Sequence, residues 1–216
     1  MNIIYLLFHG LSPYSGISKK ILYQVKGFEA CGHRVSLCTY SIADNGHRVR
    51  MINDEIIDDY GTGKPAAAKR RVSYQCIYRY AVTHQVELIY VRSFHNANPF
   101  TIRLFSKLRK AGIKIAMEIP TYPYDSEYAG FPLVTRLGIQ VDKVFRKTLA
   151  KHVNAIVTFS DYHCIFGQRT IQISNGVDFD SIPLKKTVSK NTSVIHLLGV
   201  AEVHYWHGYD RLIEFG

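Results

Sequence analysis

Short apolar runs alternate along this chain with longer stretches whose apolar residues recur every three or four positions. These are the periods of buried strands and of helices that pack by one face. Residues 2–8 (NIIYLLF) form the first run. "GISKKILYQVKGFEACGH" follows, with Ile17, Ile21, Val25 and Phe28 on one helical face and Gly32 placed as a C-terminal stop. The pattern then predicts a second strand at "RVSLCTY", a polar loop over 41–65 with an accessory strand around "HRVRMI", a helix over 66–84, and a strand at "VELIYV". A helix over 98–111 leads to "IKIAMEI", a long helix over 133–151 leads to "AIVTF", and a brief helix after Ser160 leads to "RTIQIS".

Strands separated by helices of this length pair in parallel through right-handed crossovers. The expected fold class is therefore α/β, a Rossmann-like doubly wound parallel sheet covered on both faces. The pattern breaks at "SIPLKKTVSKNTS", which is polar, basic and without apolar period, as a linker is. "VIHLLGV" then begins another strand and "YDRLIEF" the first turns of a helix. The reading divides the chain into a domain over 1–178, a linker over 179–192, and the beginning of a second Rossmann-like domain over 193–216. With no sheet of its own to join, 193–199 is expected as a makeshift edge strand, outside the main sheet.

Composition narrows the class of protein. Hydrophobic residues make up 47% of the 216 positions, enough for a sizeable core, and no apolar run approaches the ~20 residues of a membrane span. Residues 1–8 lack the basic flank and cleavage site of a signal peptide and read as a buried strand. Four cysteines without a C-x-x-C pair (Cys31, Cys38, Cys76, Cys164) suggest core thiols in a reducing cytoplasm. Lysine and arginine outnumber aspartate and glutamate, 27 to 17, which favours an anionic partner such as a phosphorylated substrate or a lipid surface. The 15 tyrosines are scattered without a base-stacking cluster, so nucleic acid ranks last.

Ligands of open α/β sheets bind beyond the carboxyl ends of the strands, so the residues after each strand are the candidates. Ser15 and Gly16 sit at a helix N-terminus, where exposed amides can hold phosphate or simply form a capped turn. Arg92 and His95 follow the third core strand. Glu118 ends the fourth, with Tyr122, Tyr124, Asp125 and Glu127 after it. A carboxylate there can take a proton or bind sugar hydroxyls, and the aromatics suit apolar sugar faces; a solvated loop is the plain alternative. In the long helix, Val134, Leu137, Val141, Val144 and Thr148 form one stripe, and Arg136, Gln140, Lys143, Lys147 and Lys151 form another. The basic stripe fits either an anionic lipid surface or a solvated face. "GTGK" at 61–64 lacks P-loop spacing, and "HYWH" at 204–207 has no supporting ligands, so neither a P-loop nor a metal or cofactor site is expected.

On "GISKKILYQVKGFEACGHRV", "ISNGVDFDSIPL" and "LLGVAEVHYWHGYDRLIEF", the chain resembles the retaining glycosyltransferases of family 4, which have the GT-B fold. The resemblance implies two Rossmann-like domains across a cleft, a nucleotide-sugar donor, and a glycan or lipid-linked acceptor at the inner membrane face, in surface-polysaccharide assembly. It places Gly16 against the donor phosphates and Glu118 where many members carry a histidine. It matches Asn175, Gly176 and Asp178 to the N-G-V-D segment near the cleft, and His207 to the position of a usual lysine. The family's E-x7-E element is not in this chain, so the expectation is a truncated, peripherally membrane-bound enzyme that is inactive alone. The rival expectation is a non-catalytic module that binds an anionic ligand or membrane surface.

Overall fold

The structure, a computed structural model, describes residues 1–93, 95–125, 132–183 and 208–215. The chain divides into two compact units, Met1–Asp178 and Phe179–Gly216. The first is an α/β layer structure whose strands are β1 (Asn2–Leu6), β2 (Arg34–Ile42), β3 (Arg48–Ile52), β4 (Glu55–Asp59), β5 (Leu88–Arg92), β6 (Lys114–Ile119), β7 (Ala155–Thr158), β8 (Cys164–Ile165) and β9 (Gln168–Gln172). Its helices are α1 (Gly16–Ala30), α2 (Gly63–Lys69), α3 (Gln75–Thr83), α4 (Pro99–Lys110) and α5 (Leu133–Ala150). Among the described residues, the strands join in the order β4-β3-β2-β1-β5-β6-β7-β9-β8. The six from β2 to β9 pair in parallel, as a Rossmann-like sheet does, and β3, β4 and β8 are antiparallel additions at the edges.

Alternation along each strand sends side chains to two cores. On one face Ile4, Leu6, Ile89, Val91, Ile115 and Met117 pack under α3, α4 and α5 through Ile77, Phe105, Leu108 and Leu149. On the other, Ile3, Tyr5, Leu7, Tyr90 and Val157 meet Ile21, Val25 and Phe28 of α1. The helix ends follow their capping residues. Ser15 caps α1, and Gly32, at φ +79°, reverses the chain after it. Asn98 caps α4 in a capping box with Thr101, with Pro99 at the first helical position.

Four expectations need correction. The helix over 66–84 is broken into α2 and α3, because the chain turns at Arg70–Ser73 to bury the ring of Tyr74 edge-on against Phe8, with centroids 5.8 Å apart. No helix lies between Ser160 and β8. Phe166 and Gly167, both at positive φ, form the two-residue turn of a β8–β9 hairpin, the conformation that matches strand twist. Asn53 and Asp54 make the equivalent turn between β3 and β4, a strand hidden in an acidic stretch that read as loop. Finally, only Cys38 and Cys76 are core thiols; Cys31 and Cys164 are exposed.

The stripes on α5 also resolve differently from the usual apolar-inward arrangement. Its core contacts run through Ile139, Asp142, Phe145 and Leu149, while Leu137, Val141 and Val144 face solvent. The second unit is described over 179–183 and 208–215 only, where it forms a 3-10 turn (Phe179–Ser181) and α6 (Tyr209–Phe215). The expected strand at 193–199 lies outside the described residues.

Phe105 is completely buried between α4 and the sheet. Phe105→Ala leaves a cavity that packed neighbours close only in part, so it should cost about 3–5 kcal/mol of unfolding free energy, measured by urea denaturation.

Candidate functional site

From β1 the chain goes through α1 to β2 on one side, and later reaches β5 on the other side of β1. The strand order reverses there, and the carboxyl ends of β1, β5 and β6 splay around a crevice of about 600 Å³. Gly10 shapes its rim: a Cβ at that position would lie 2.8 Å from the carbonyl oxygen of Tyr40, so only glycine lets the loop cross the end of β2. The loop into α1 is tied by its own serines. The Ser12 amide donates to Ser18 Oγ at 2.9 Å, and the Ser18 amide donates to the N-cap Ser15 Oγ at 3.4 Å. This holds the first turn of α1, at Gly16 and Ile17, on the crevice wall with the positive end of the helix dipole there. At Gly16 itself a Cβ would meet open space, so the glycine is not required by packing within the chain.

Beneath the crevice lies a buried polar knot. Glu118, fully buried on β6, pairs with Arg92 at the end of β5 and accepts hydrogen bonds from Tyr90 Oη at 2.7 Å and Gln24 Nε2 at 2.8 Å. Tyr5 Oη donates to Gln24 Oε1 at 2.5 Å, so the network crosses from β1 and α1 to β5 and β6. Burial raises the phenols of Tyr5 and Tyr90 well above their usual value, and the Glu118 carboxylate beside them adds to the shift. With all three donors directed at it and no exposed surface, Glu118 is not the open strand-tip carboxylate that its position suggested. It positions Arg92, which does line the crevice.

The opposite wall is built by His95 and Tyr124, with ring centroids 4.4 Å apart. Tyr124 Oη donates to Asp142 Oδ2 of α5 at 2.8 Å, and the Ala97 amide donates to Asp142 Oδ1 at 2.9 Å, so one buried carboxylate fixes both sides of this wall. His95 has φ +50°, a left-handed conformation that is uncommon outside glycine and that gathers at functional sites. Burial lowers its imidazole pKa below the usual value, against the raising influence of Asp142 and Asp125. Lys20, one turn into α1, lies over the Phe159 ring at 3.4 Å from Nζ to centroid, and burial lowers its pKa as well.

Of the sequence candidates, the structure thus brings Ser15, Gly16, Arg92 and His95 together on one crevice. Tyr122 packs edge-on to Tyr162 and Phe166, and Tyr124 takes the lining position instead. Asp125 pairs with Arg146 at 2.7 Å, a bond that holds its carboxyl below the usual range. Asp178 pairs with Lys26 at 2.7 Å, and Lys26 stands ten residues, ~15 Å, along α1 from Gly16. Asp178 is therefore a fastening of the chain after β9 to that helix, away from the lining residues. Asn175 and Gly176 are exposed on the same segment, and His207 lies outside the described residues. Lys20 was not singled out from the sequence; its four-residue spacing from Gly16 in "GISKK" is the signal that places it one turn along the same helix face.

Among the described residues no lining side chain is a carboxylate, and Lys20, Arg92 and the N-terminus of α1 stand on the crevice wall, with the Arg92 charge matched from behind by buried Glu118. It suits an anionic group on a polar ligand. Among the described residues no cluster of His, Cys, Asp or Glu is placed to hold a metal ion, and no helix is long and apolar enough to cross a membrane. A second concavity of about 370 Å³ lies between α3 and α4, lined by Gln75, Tyr78, Phe100, Arg103 and Lys107 among others. No family model, curated protein or solved structure matches this chain.

Glu118→Gln should cost about 3–5 kcal/mol in urea unfolding, because it leaves the buried Arg92 charge without its partner. The raised phenols of Tyr5, Tyr90 and Tyr124 contribute stability that is intact below pH 10 and is lost as pH rises toward their folded-state values. In an alkaline absorbance titration these three should ionise only together with unfolding.

Proposed function

We propose that this chain supplies a ligand-binding α/β domain of a retaining GT-B glycosyltransferase, one that uses a nucleotide-sugar donor and a glycan or lipid-linked acceptor. The observation that carries the reading is the crevice at the point where the strand order reverses, with Lys20, Arg92 and the N-terminus of α1 on its wall and no carboxylate among its described lining residues. A diphosphate diester is the part of a nucleotide sugar that such a crevice favours: two fixed negative charges, set against a helix N-terminus, an ammonium and a guanidinium. The GT-B assignment, the retention of configuration and the sugar acceptor rest on the likeness of "GISKKILYQVKGFEACGHRV" and "ISNGVDFDSIPL" to the family's motifs.

In this reading the domain contributes binding and orientation, which lower the barrier by holding reactants in place. Proton transfer is not assigned to it. Glu118 is occupied below the crevice, and no two glutamates in the 216 residues have the spacing of an E-x7-E element. His95 and Tyr124, with rings tilted 52° to each other, offer an aromatic corner and an imidazole donor for a ring that carries hydroxyls.

Calorimetry with UDP-glucose and GDP-mannose, beside inorganic pyrophosphate, tests the reading. Saturable binding of a nucleotide sugar, weakened at least about tenfold by Lys20→Gln, is the expected outcome. Binding of pyrophosphate with no preference for any nucleotide sugar would make the domain a plain anion module, and no binding at all would end the proposal. The affinity should also rise as the pH falls from 7 toward 5. Without ligand His95 has a pKa lowered by burial, and a bound anion favours its protonated form, while the diester phosphates do not titrate there. His95→Gln should flatten that dependence.

A further inference from the structure

Alternation along β2 and β3 sends Tyr40, Arg48 and Arg50 to the side of the sheet that faces α3, where Cys38 and Ile52 of the same strands join the core. There three guanidinium groups gather around one phenol. Arg48 Nη1 donates to Tyr40 Oη at 2.6 Å, and the guanidinium of Arg70, the C-cap of α2, stacks over the Tyr40 ring at 4.1 Å from its centroid. Arg50, opposite Tyr40 in the β2–β3 register, is 1% exposed and donates from Nη1 to the Leu7 carbonyl at 2.8 Å. Arg48 and Arg70 are half-buried, and Arg71 follows as an exposed cation.

This cluster lacks the acid that Glu118 supplies to Arg92. Among the described residues, none of Arg48, Arg50 and Arg70 is in an ion pair. Asp58 stands opposite Arg50 in the β3–β4 register without pairing to it, and Asp59 is taken up by His47 at 2.8 Å and the Gly61 amide at 2.7 Å. The Nε atoms of Arg50 and Arg70 are both buried without a hydrogen-bond partner. Burial lowers the Arg70 pKa, and Arg71, Arg48 and Arg50 push it the same way, against the raising influence of Tyr40. Taking guanidinium donors out of water and crowding like charges are both unfavourable, and a bound oxyanion offsets both.

The chemistry of the cluster selects the ligand. The planar forks of arginine match the paired oxygens of a phosphate and hold it by charge-assisted hydrogen bonds. The rings of Tyr40 and Tyr60 beneath are only 7% and 6% exposed, so the cluster offers no aromatic face to a nucleic-acid base, and a small anion fits it better than a polymer. None of the three arginines lines the crevice. We propose that Arg48 and Arg70, gathered on Tyr40 and backed by Arg50, form an oxyanion site of their own, for inorganic phosphate or the phosphate group of a small phosphomonoester. The site goes beyond the sugar-transfer reading and does not rest on it.

Calorimetry of the full chain with inorganic phosphate and with glycerol 3-phosphate tests it, in mildly alkaline buffer where both are dianions. The titrations use the Lys20→Gln chain, which removes a cation from the crevice, so that binding at the arginines is read apart from it. Saturable binding of phosphate or of the monoester is expected, and the tighter of the two names the source of the anion. Adding Arg48→Gln or Arg70→Gln should weaken that binding at least about tenfold, as the loss of a charge-assisted hydrogen bond does. Arg103→Gln removes an exposed cation of α4; it is the control and should leave binding unchanged. Thermal unfolding checks that each variant folds. Should a glutamine variant fail to fold, Arg48→Lys or Arg70→Lys takes its place, because lysine keeps the charge, loses the fork and should also weaken binding. The inference falls if neither anion binds, or if either arginine variant binds as tightly as the Lys20→Gln chain. It also falls if Arg103→Gln weakens binding as much as they do, since the effect would then be one of surface charge at large.

Discussion

The buried pair of Arg92 and Glu118 is the constraint around which the rest of the first unit is arranged. Removing two charges from water costs several kcal/mol per ion, and the attraction between them offsets this only when the remaining hydrogen-bonding capacity is also used. Here Tyr90 and Gln24 complete the carboxylate, and Tyr5 completes Gln24. The network therefore draws on β1, α1, β5 and β6, and any relative shift of these elements leaves a buried charge unmet. That requirement fixes where Arg92 emerges and where the first turns of α1 stand, and both are on the crevice wall.

A second buried carboxylate plays the same part on the far wall. Asp142 collects the Ala97 amide and the Tyr124 hydroxyl, and so holds the loop after β5, the loop after β6 and α5 in one arrangement. The crevice is thus lined by cations and aromatic rings whose acidic partners sit behind them, out of contact with a ligand. Glu118 and Asp142 thus fix the wall from behind, each through hydrogen bonds to more than one element. The same helix that supplies Asp142 inward carries exposed aliphatic and basic residues outward.

Much of this was legible in the chain. The parallel strands, the capped starts of α1 and α4 and the positions of Ser15, Gly16, Arg92 and His95 at strand ends followed from period, capping residues and the rule that ligands meet the carboxyl edge. Misreadings arose where a distant contact overrode a local pattern. The 66–84 segment has helical period throughout, yet Tyr74 gains more by packing on Phe8 than by continuing the helix. The hairpin at Phe166 and Gly167 and the turn at Asn53 and Asp54 were short enough to pass as loop; Gly167, Asn53 and Asp54 are types that tolerate positive φ, whereas Phe166 is not.

What the amino-acid sequence by itself determined is the alternation of elements and the end of the sheet that carries the polar tips, because period and capping act within a few residues along the chain. What only the tertiary structure decided is which polar residues face a ligand and which face each other. Glu118 and Arg92 look alike as strand-end charges, and only the approach of Gln24, ninety-four residues from Glu118, turns one inward and leaves the other on the crevice. The same holds for α5: its two stripes are plain in the sequence, but which of them meets the core depends on how the helix is rolled against α4 and the sheet, and that is set by Asp142 and its partners.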